Sequence, residues 1–140
     1  MALVHDLAEA ITTDLTPESG YSAIQKHQLE LDAMSEIERI LQGNPFGREA
    51  KELWLEYSAD ETREANFVKD LDKLELLIQV SEYEKGKGID AKAKGQILNI
   101  LCLETEIRFD DWVKVAAAKI RHAQLQELRD QVLNERESIK

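Results

Sequence analysis

The sequence predicts an all-α protein of about six helices, and three observations lead there. Apolar residues recur three and four apart along most of the chain, the spacing of one helix face. Only two prolines and six glycines interrupt 140 residues. Ser22 with Gln25, and Ser58 with Glu61, have the spacing of capping boxes, in which a side chain and a backbone N–H at a helix start satisfy each other. A chain of this length holds one compact domain with a real core, so residues 1 to 140 are expected to form a single domain.

The first predicted helix, Leu3 to Thr12, carries Leu3, Val4, Leu7, Ala8 and Ile11 on one face and breaks in Thr12-Thr13-Asp14-Leu15-Thr16-Pro17. It begins already on its apolar pattern, which suggests an element upstream of it. The second opens at Ser22, carries Ile24, Leu31, Met34, Ile37, Ile40 and Leu41, and is expected to end at Gly43-Asn44-Pro45. A short helix over 47 to 57 holds Leu53, Trp54 and Tyr57. The Ser58–Glu61 box then starts a long helix to about Glu84, whose apolar set from Ala65 to Val80 is wide enough for burial on more than one side. Lys85-Gly86-Lys87-Gly88 stops it and Asp90 caps the next. Residues 91 to 107 and 110 to 136 complete the helical set.

Hydrophobic residues make up 43% and charged residues 33% of the chain, a balance suited to a folded soluble protein. The formal charge of −10, with 18 basic residues scattered among 28 acidic ones, argues against a nucleic-acid polymer as partner, because phosphate backbones are held by clustered Lys and Arg. A small phosphate ester is still compatible where a divalent cation reverses the local field. Cys102 is the sole cysteine, so an intramolecular disulfide and a thiolate metal cluster are excluded. Between Leu101 and Leu103 it reads as a buried structural thiol. No apolar run reaches the roughly 18 residues a spanning helix needs, and the amino terminus lacks a basic region before an apolar stretch. A cytoplasmic protein without membrane contact is expected.

His5 and Asp6 are adjacent, Glu9 follows one turn later, and Asp14 comes just after the break. Far downstream, Asp72 interrupts the apolar stripe of the long helix in Phe67-Val68-Lys69-Asp70-Leu71-Asp72-Lys73-Leu74-Glu75. A His-Asp dipeptide alone is weak, and each acidic residue alone is an ordinary surface or salt-bridge group.

Together they match something more specific. Val4-His5-Asp6-Leu7-Ala8-Glu9-Ala10-Ile11-Thr12-Thr13-Asp14-Leu15-Thr16-Pro17 closely resembles the HD-motif region of the HD-domain-containing protein 2 family of 5′-deoxynucleotidases. Phe67 to Glu75, continuing through Gln79 and Ser81-Glu82-Tyr83-Glu84, resembles its second motif. Between them Lys26-His27, Glu30, Ala33-Met34 and Glu52-Leu53-Trp54-Leu55-Glu56-Tyr57 keep the same order. The resemblance spans residues 2 to 84 and implies an HD-type helical bundle with His5, Asp6 and Asp72 as metal ligands. Imidazole nitrogen with carboxylate oxygen suits Mn²⁺, Co²⁺ or Mg²⁺. Glu9 and Asp14 match the acidic residues beside the HD pair, and the resemblance implies that they orient water, bind a second cation or act as acid and base. The substrate so implied is a deoxynucleoside 5′-monophosphate, hydrolysed with the help of the divalent cation.

The chain departs from the family in three places. The first family histidine lies upstream of the HD pair and has no counterpart here, so the family's N-terminal helix is expected to be absent and metal binding weakened. Thr13 stands where a glycine commonly precedes Asp14. Residues 85 to 140 do not follow the family pattern. Lys69 and Lys73 are expected to pair on the surface with Asp70 or Glu75 rather than to bind phosphate. His27 and His122 read as surface histidines. Apolar faces left without the N-terminal helix favour a homodimer. The competing expectation is a non-catalytic interaction or oligomerisation protein that keeps the HD scaffold, with the helix from Asp110 to Lys140 as the contact.

Overall fold

The computed structural model describes residues 1–15, 19–85 and 109–138. Among these residues there are six helices and no strand: α1 (Glu9–Thr12), α2 (Ala23–Ile40), α3 (Pro45–Ala59), α4 (Arg63–Lys85), α5 (Phe109–Ala118) and α6 (Ala123–Glu137). The all-α expectation holds. The predicted helix over 91 to 107, its Asp90 cap, Gly86, Gly88 and Cys102 lie outside the described residues. The chain divides into two compact units, Met1–Val68 and Lys69–Lys140, and α4 contributes residues to each.

In the first unit the Ser22 box forms as predicted. Ser22 Oγ accepts the Gln25 N–H at 3.2 Å, and Gln25 Oε1 accepts the Ser22 N–H at 2.9 Å. The helix so opened turns Ala33 and Met34 inward, where they meet Ala50 and Trp54 of α3, with Val4 and Ala8 closing the cluster. Lys51 Nζ reaches Glu38 at 3.0 Å on the rim of the α2–α3 contact. Where α2 turns into α3 the chains run close. A Cβ on Gly47 would sit 3.2 Å from Leu41 Cβ and 3.3 Å from Glu38 Cα, so a larger residue would push the helices apart.

Three predicted boundaries shift. The amino-terminal segment is α-helical only over Glu9–Thr12. Before it, the Val4, Leu7 and Glu9 amides donate three residues back, to Met1, Val4 and Asp6, in tighter 3₁₀-type turns that still bury Val4 and Ala8. Asn44-Pro45 opens α3 rather than closing α2: Asn44 Oδ1 accepts the Phe46 N–H at 3.0 Å, and proline is at home in a first helical turn. The expected Ser58–Glu61 box does not form, since Ser58 lies inside α3. That helix ends at Asp60, in the left-handed region with φ 57°. Thr62 takes over as the start of α4, its Oγ1 accepting the Ala65 N–H at 3.1 Å and donating to Glu56 Oε1 at 2.6 Å.

In the second unit α4 buries Asp70, Leu74, Leu77 and Ser81, the stripe that spacings of four, three and four place on one helical face. Leu74 and Leu77 share a core with Val113, Ala116 and Ile120. The single helix expected over 110 to 136 is instead two, broken across Lys119–His122. Neither glycine nor proline causes the break. Asp70, 1% exposed, accepts the Arg121 N–H at 2.7 Å and the His122 N–H at 2.8 Å. It so satisfies amides at the start of α6 that a local side chain would otherwise cap. The His122 side chain makes no such cap. Asp70 is therefore a buried acceptor and not the surface partner of Lys69 or Lys73. Among the described residues no helix is long and apolar enough to cross a membrane.

Candidate active site

His5 is held on three sides. Its Nδ1 lies 2.8 Å from the Ala2 carbonyl oxygen, its Nε2 lies 3.0 Å from Asp6 Oδ2, and its ring meets the Tyr57 ring edge-on at 5.2 Å between centroids. A carbonyl can only accept, so the network assigns the hydrogen to Nδ1. Nε2 then faces the carboxylate either with a second proton or with its lone pair. The second arrangement leaves imidazole nitrogen and carboxylate oxygen converging on a position that a cation neutralises. One nitrogen with oxygens is a donor set that fits a borderline-to-hard divalent ion. The Asp6 side chain is 59% exposed, so it is accessible to such an ion.

Glu9, one turn on, is half-buried, and its carboxyl is pushed up to about 7. Burial is the largest cause, the charges of Asp14 and Asp6 add to it, Lys26 opposes it, and Glu30 adds a smaller push. Lys26 donates to the Leu15 carbonyl at 2.7 Å and pairs with Glu30 at 3.4 Å, tying the segment that carries Asp14 to α2. Asp14 itself is exposed. The two residues singled out as acid and base candidates are thus electrostatic neighbours.

The raised carboxyl has a signed consequence for stability. Between pH 4.5 and about 7 the native chain keeps a proton on Glu9 that the unfolded chain has released. The stabilising contribution is therefore complete below pH 4.5 and is lost as pH rises through about 7. Glu9→Gln should flatten that part of the stability profile in chelator-treated protein. Thermal melts across this range check it, and an unchanged slope would refute the assignment.

Thr13 bears on the same loop. Its φ of 61° and ψ of 173° lie in a region that glycine enters freely and a β-branched residue enters only with strain. Threonine thus occupies a conformation suited to glycine. Thr13→Gly should stabilise the chain by about 1 kcal/mol, the relief of strain exceeding the extra chain entropy of glycine. Urea denaturation measures this, and a loss of stability would contradict it.

Asp72 lies on α4 in the second unit and is exposed. Lys73 beside it is held below the ordinary lysine range, chiefly by burial, which Asp72 and Asp70 partly offset. Its Nζ donates to the Lys69 carbonyl at 2.7 Å, which completes a turn of α4. Of the two surface partners expected for these lysines, Asp70 is instead buried and turned to the Arg121 and His122 amides. Among the described residues no group of three or more His, Cys, Asp or Glu side chains is arranged to hold a metal ion. His122 is exposed at the start of α6, with its backbone N–H on Asp70. His27 is exposed, but stacks on buried Trp54 with centroids 5.5 Å apart, and its Nδ1 lies 3.0 Å from Ser58 Oγ. Sequence spacing gave no sign of that pairing, because its partners lie on different helices.

A family model described as HD domain matches residues 1–100. The chain belongs to the HD-domain family. This HD domain is 47% identical over 85 residues to the 5′-deoxynucleotidase HDDC2 of Dictyostelium discoideum, covering 61% of the chain and 44% of that protein. It is 44% identical over 88 residues to the 5′-deoxynucleotidase hdd1 of Schizosaccharomyces pombe, again covering 61% and 44%. A third relative, the 5′-deoxynucleotidase HDDC2 of Xenopus laevis, is 33% identical over 138 residues, 99% of this chain and 60% of that protein. Family likeness therefore extends beyond residue 84. The chain spans about half the length of the first two of these relatives.

Proposed function

We propose that this HD domain is a divalent-metal-dependent phosphohydrolase that converts deoxynucleoside 5′-monophosphates to deoxynucleosides and phosphate. The observation that carries the reading is the His5–Asp6 pair, with Nδ1 committed to a carbonyl and Nε2 turned to a carboxylate, beside a Glu9 whose carboxyl titrates near neutrality. The names of the relatives supply the substrate class.

In this reading His5 Nε2, Asp6 and Asp72 are the metal ligands, and Mn²⁺, Co²⁺ and Mg²⁺ are the candidate ions. When bound, such an ion supplies Lewis-acid polarisation of a phosphoryl oxygen and acidifies water. Glu9 is the acid/base group: a carboxyl near 7 takes a proton from the attacking water and returns one to the leaving 5′-oxygen as the P–O bond breaks. Asp14 orients the water, and Lys26 keeps the loop that carries it against α2. We also assign residues 1 to 140 to one HD-type domain, in a cytoplasmic homodimer with no nucleic-acid polymer as partner. The exposed Ile24, Ile40 and Phe46 support the dimer.

The test is inorganic phosphate release from dAMP, with each of the three ions and again after chelation. Release that requires one of the ions supports the reading. Absence of release with all three sinks it and leaves the non-catalytic alternative.

A further inference from the structure

Asp70 lies two residues before Asp72 and is the most buried charged side chain among the described residues. Its environment is directional rather than merely apolar. Oδ2 accepts the Arg121 and His122 backbone N–H groups at 2.7 and 2.8 Å, and Oδ1 lies 3.3 Å from the Arg121 guanidinium Nε. Leu74, Leu77 and Val80, farther along α4, pack into the apolar core, where contacts are non-directional and set the rotation of a helix less sharply than hydrogen bonds do. Two residues along an α-helix is a turn of about 200°, so whatever holds position 70 inward holds position 72 outward. Asp72 is accordingly exposed.

We infer that Asp70 is a positioning residue for the Asp72 carboxylate: by accepting the two amides at the start of α6 it fixes the rotation of α4 that presents position 72 to solvent. The inference rests on the proposal that Asp72 is a metal ligand. Asp70 contributes no oxygen to the ion and no proton to the reaction. A neutral amide oxygen can still accept both backbone N–H groups in the same geometry, although more weakly than a carboxylate, so the acceptor atom is what holds the rotation.

Titration calorimetry of the full chain with Mn²⁺ at neutral pH tests it, with melting curves to establish folding. Asp72→Ala should bind at least about tenfold more weakly, and Asp70→Ala about tenfold more weakly although it removes no ligand. Asp70→Asn keeps an acceptor oxygen for both amides and should stay within about threefold of the parent. A purely structural role would lower the melting temperature of Asp70→Ala without moving the affinity of the folded protein. Folded Asp70→Ala with parental affinity beside a weakened Asp72→Ala overturns this inference alone. So does Asp70→Asn as weak as Asp70→Ala. Parental affinity in Asp72→Ala overturns both the inference and the metal assignment. If Asp70→Ala does not fold, Asp70→Ser, which can accept one amide through Oγ, carries the same expectation and the same overturning result.

Discussion

Under the proposed mechanism, Asp6→Ala should lower metal-dependent phosphate release by about 10³-fold, roughly 4 kcal/mol of transition-state stabilisation, because in that mechanism it removes a ligand from the ion that would polarise the phosphoryl group. The side chain is 59% exposed and lies outside the apolar core, so the loss should come with only a small change in melting temperature. His5→Ala and Asp72→Ala should follow it. Phosphate release from dAMP at saturating Mn²⁺, read beside circular dichroism, separates a chemical loss from an unfolded chain. Parental release in all three variants would remove the proposed mechanism. Glu9→Gln should behave differently: in its proposed role of proton-transfer group it should lower turnover by about 10²- to 10⁴-fold while leaving Mn²⁺ affinity largely intact.

The largest effect on stability is expected at Trp54. It is 2% exposed, fills the space between α2 and α3 beside Met34 and Ala50, and carries the exposed His27 ring on its face. Trp54→Ala should cost about 3 to 5 kcal/mol, the lost transfer energy plus the cavity that the surrounding helices do not close. Urea unfolding followed by far-ultraviolet circular dichroism measures it. A cost below about 1 kcal/mol would mean that the first unit is not organised around this side chain. His27→Ala should cost far less, since His27 is itself exposed and leaves no buried cavity behind.

Much of the helical pattern was legible because it is written locally. Ser22 and Gln25 meet within one turn, and Met34 and Trp54, both on the expected apolar faces, are core residues, whereas Ile24 and Ile40 of the same expected face are exposed. The boundaries that moved depend on choices local rules leave open. Asn44-Pro45 can end one helix or begin the next, and Ser58 and Thr62 are both competent caps, of which Thr62 won because Glu56 is there to accept its hydroxyl hydrogen. The candidate site divides in the same way. The likeness around His5 and Asp6 pointed to an HD domain, a family to which the match over residues 1–100 assigns the chain. The near-neutral titration of Glu9 could not be anticipated, since it arises from burial and from charges brought close by folding.

What the residue order decided by itself was the helical class and the identity of the groups available for chemistry, because turn periodicity, caps and side-chain type act over a few neighbouring positions. What only the folded chain decided was the surroundings of those groups. The Asp70 carboxylate caps backbone amides 51 and 52 residues ahead, the His5 ring meets Tyr57 edge-on, and Thr13 takes up a backbone shape better suited to glycine. Each outcome depends on atoms distant in sequence or on the path imposed by packing, and no local pattern records either.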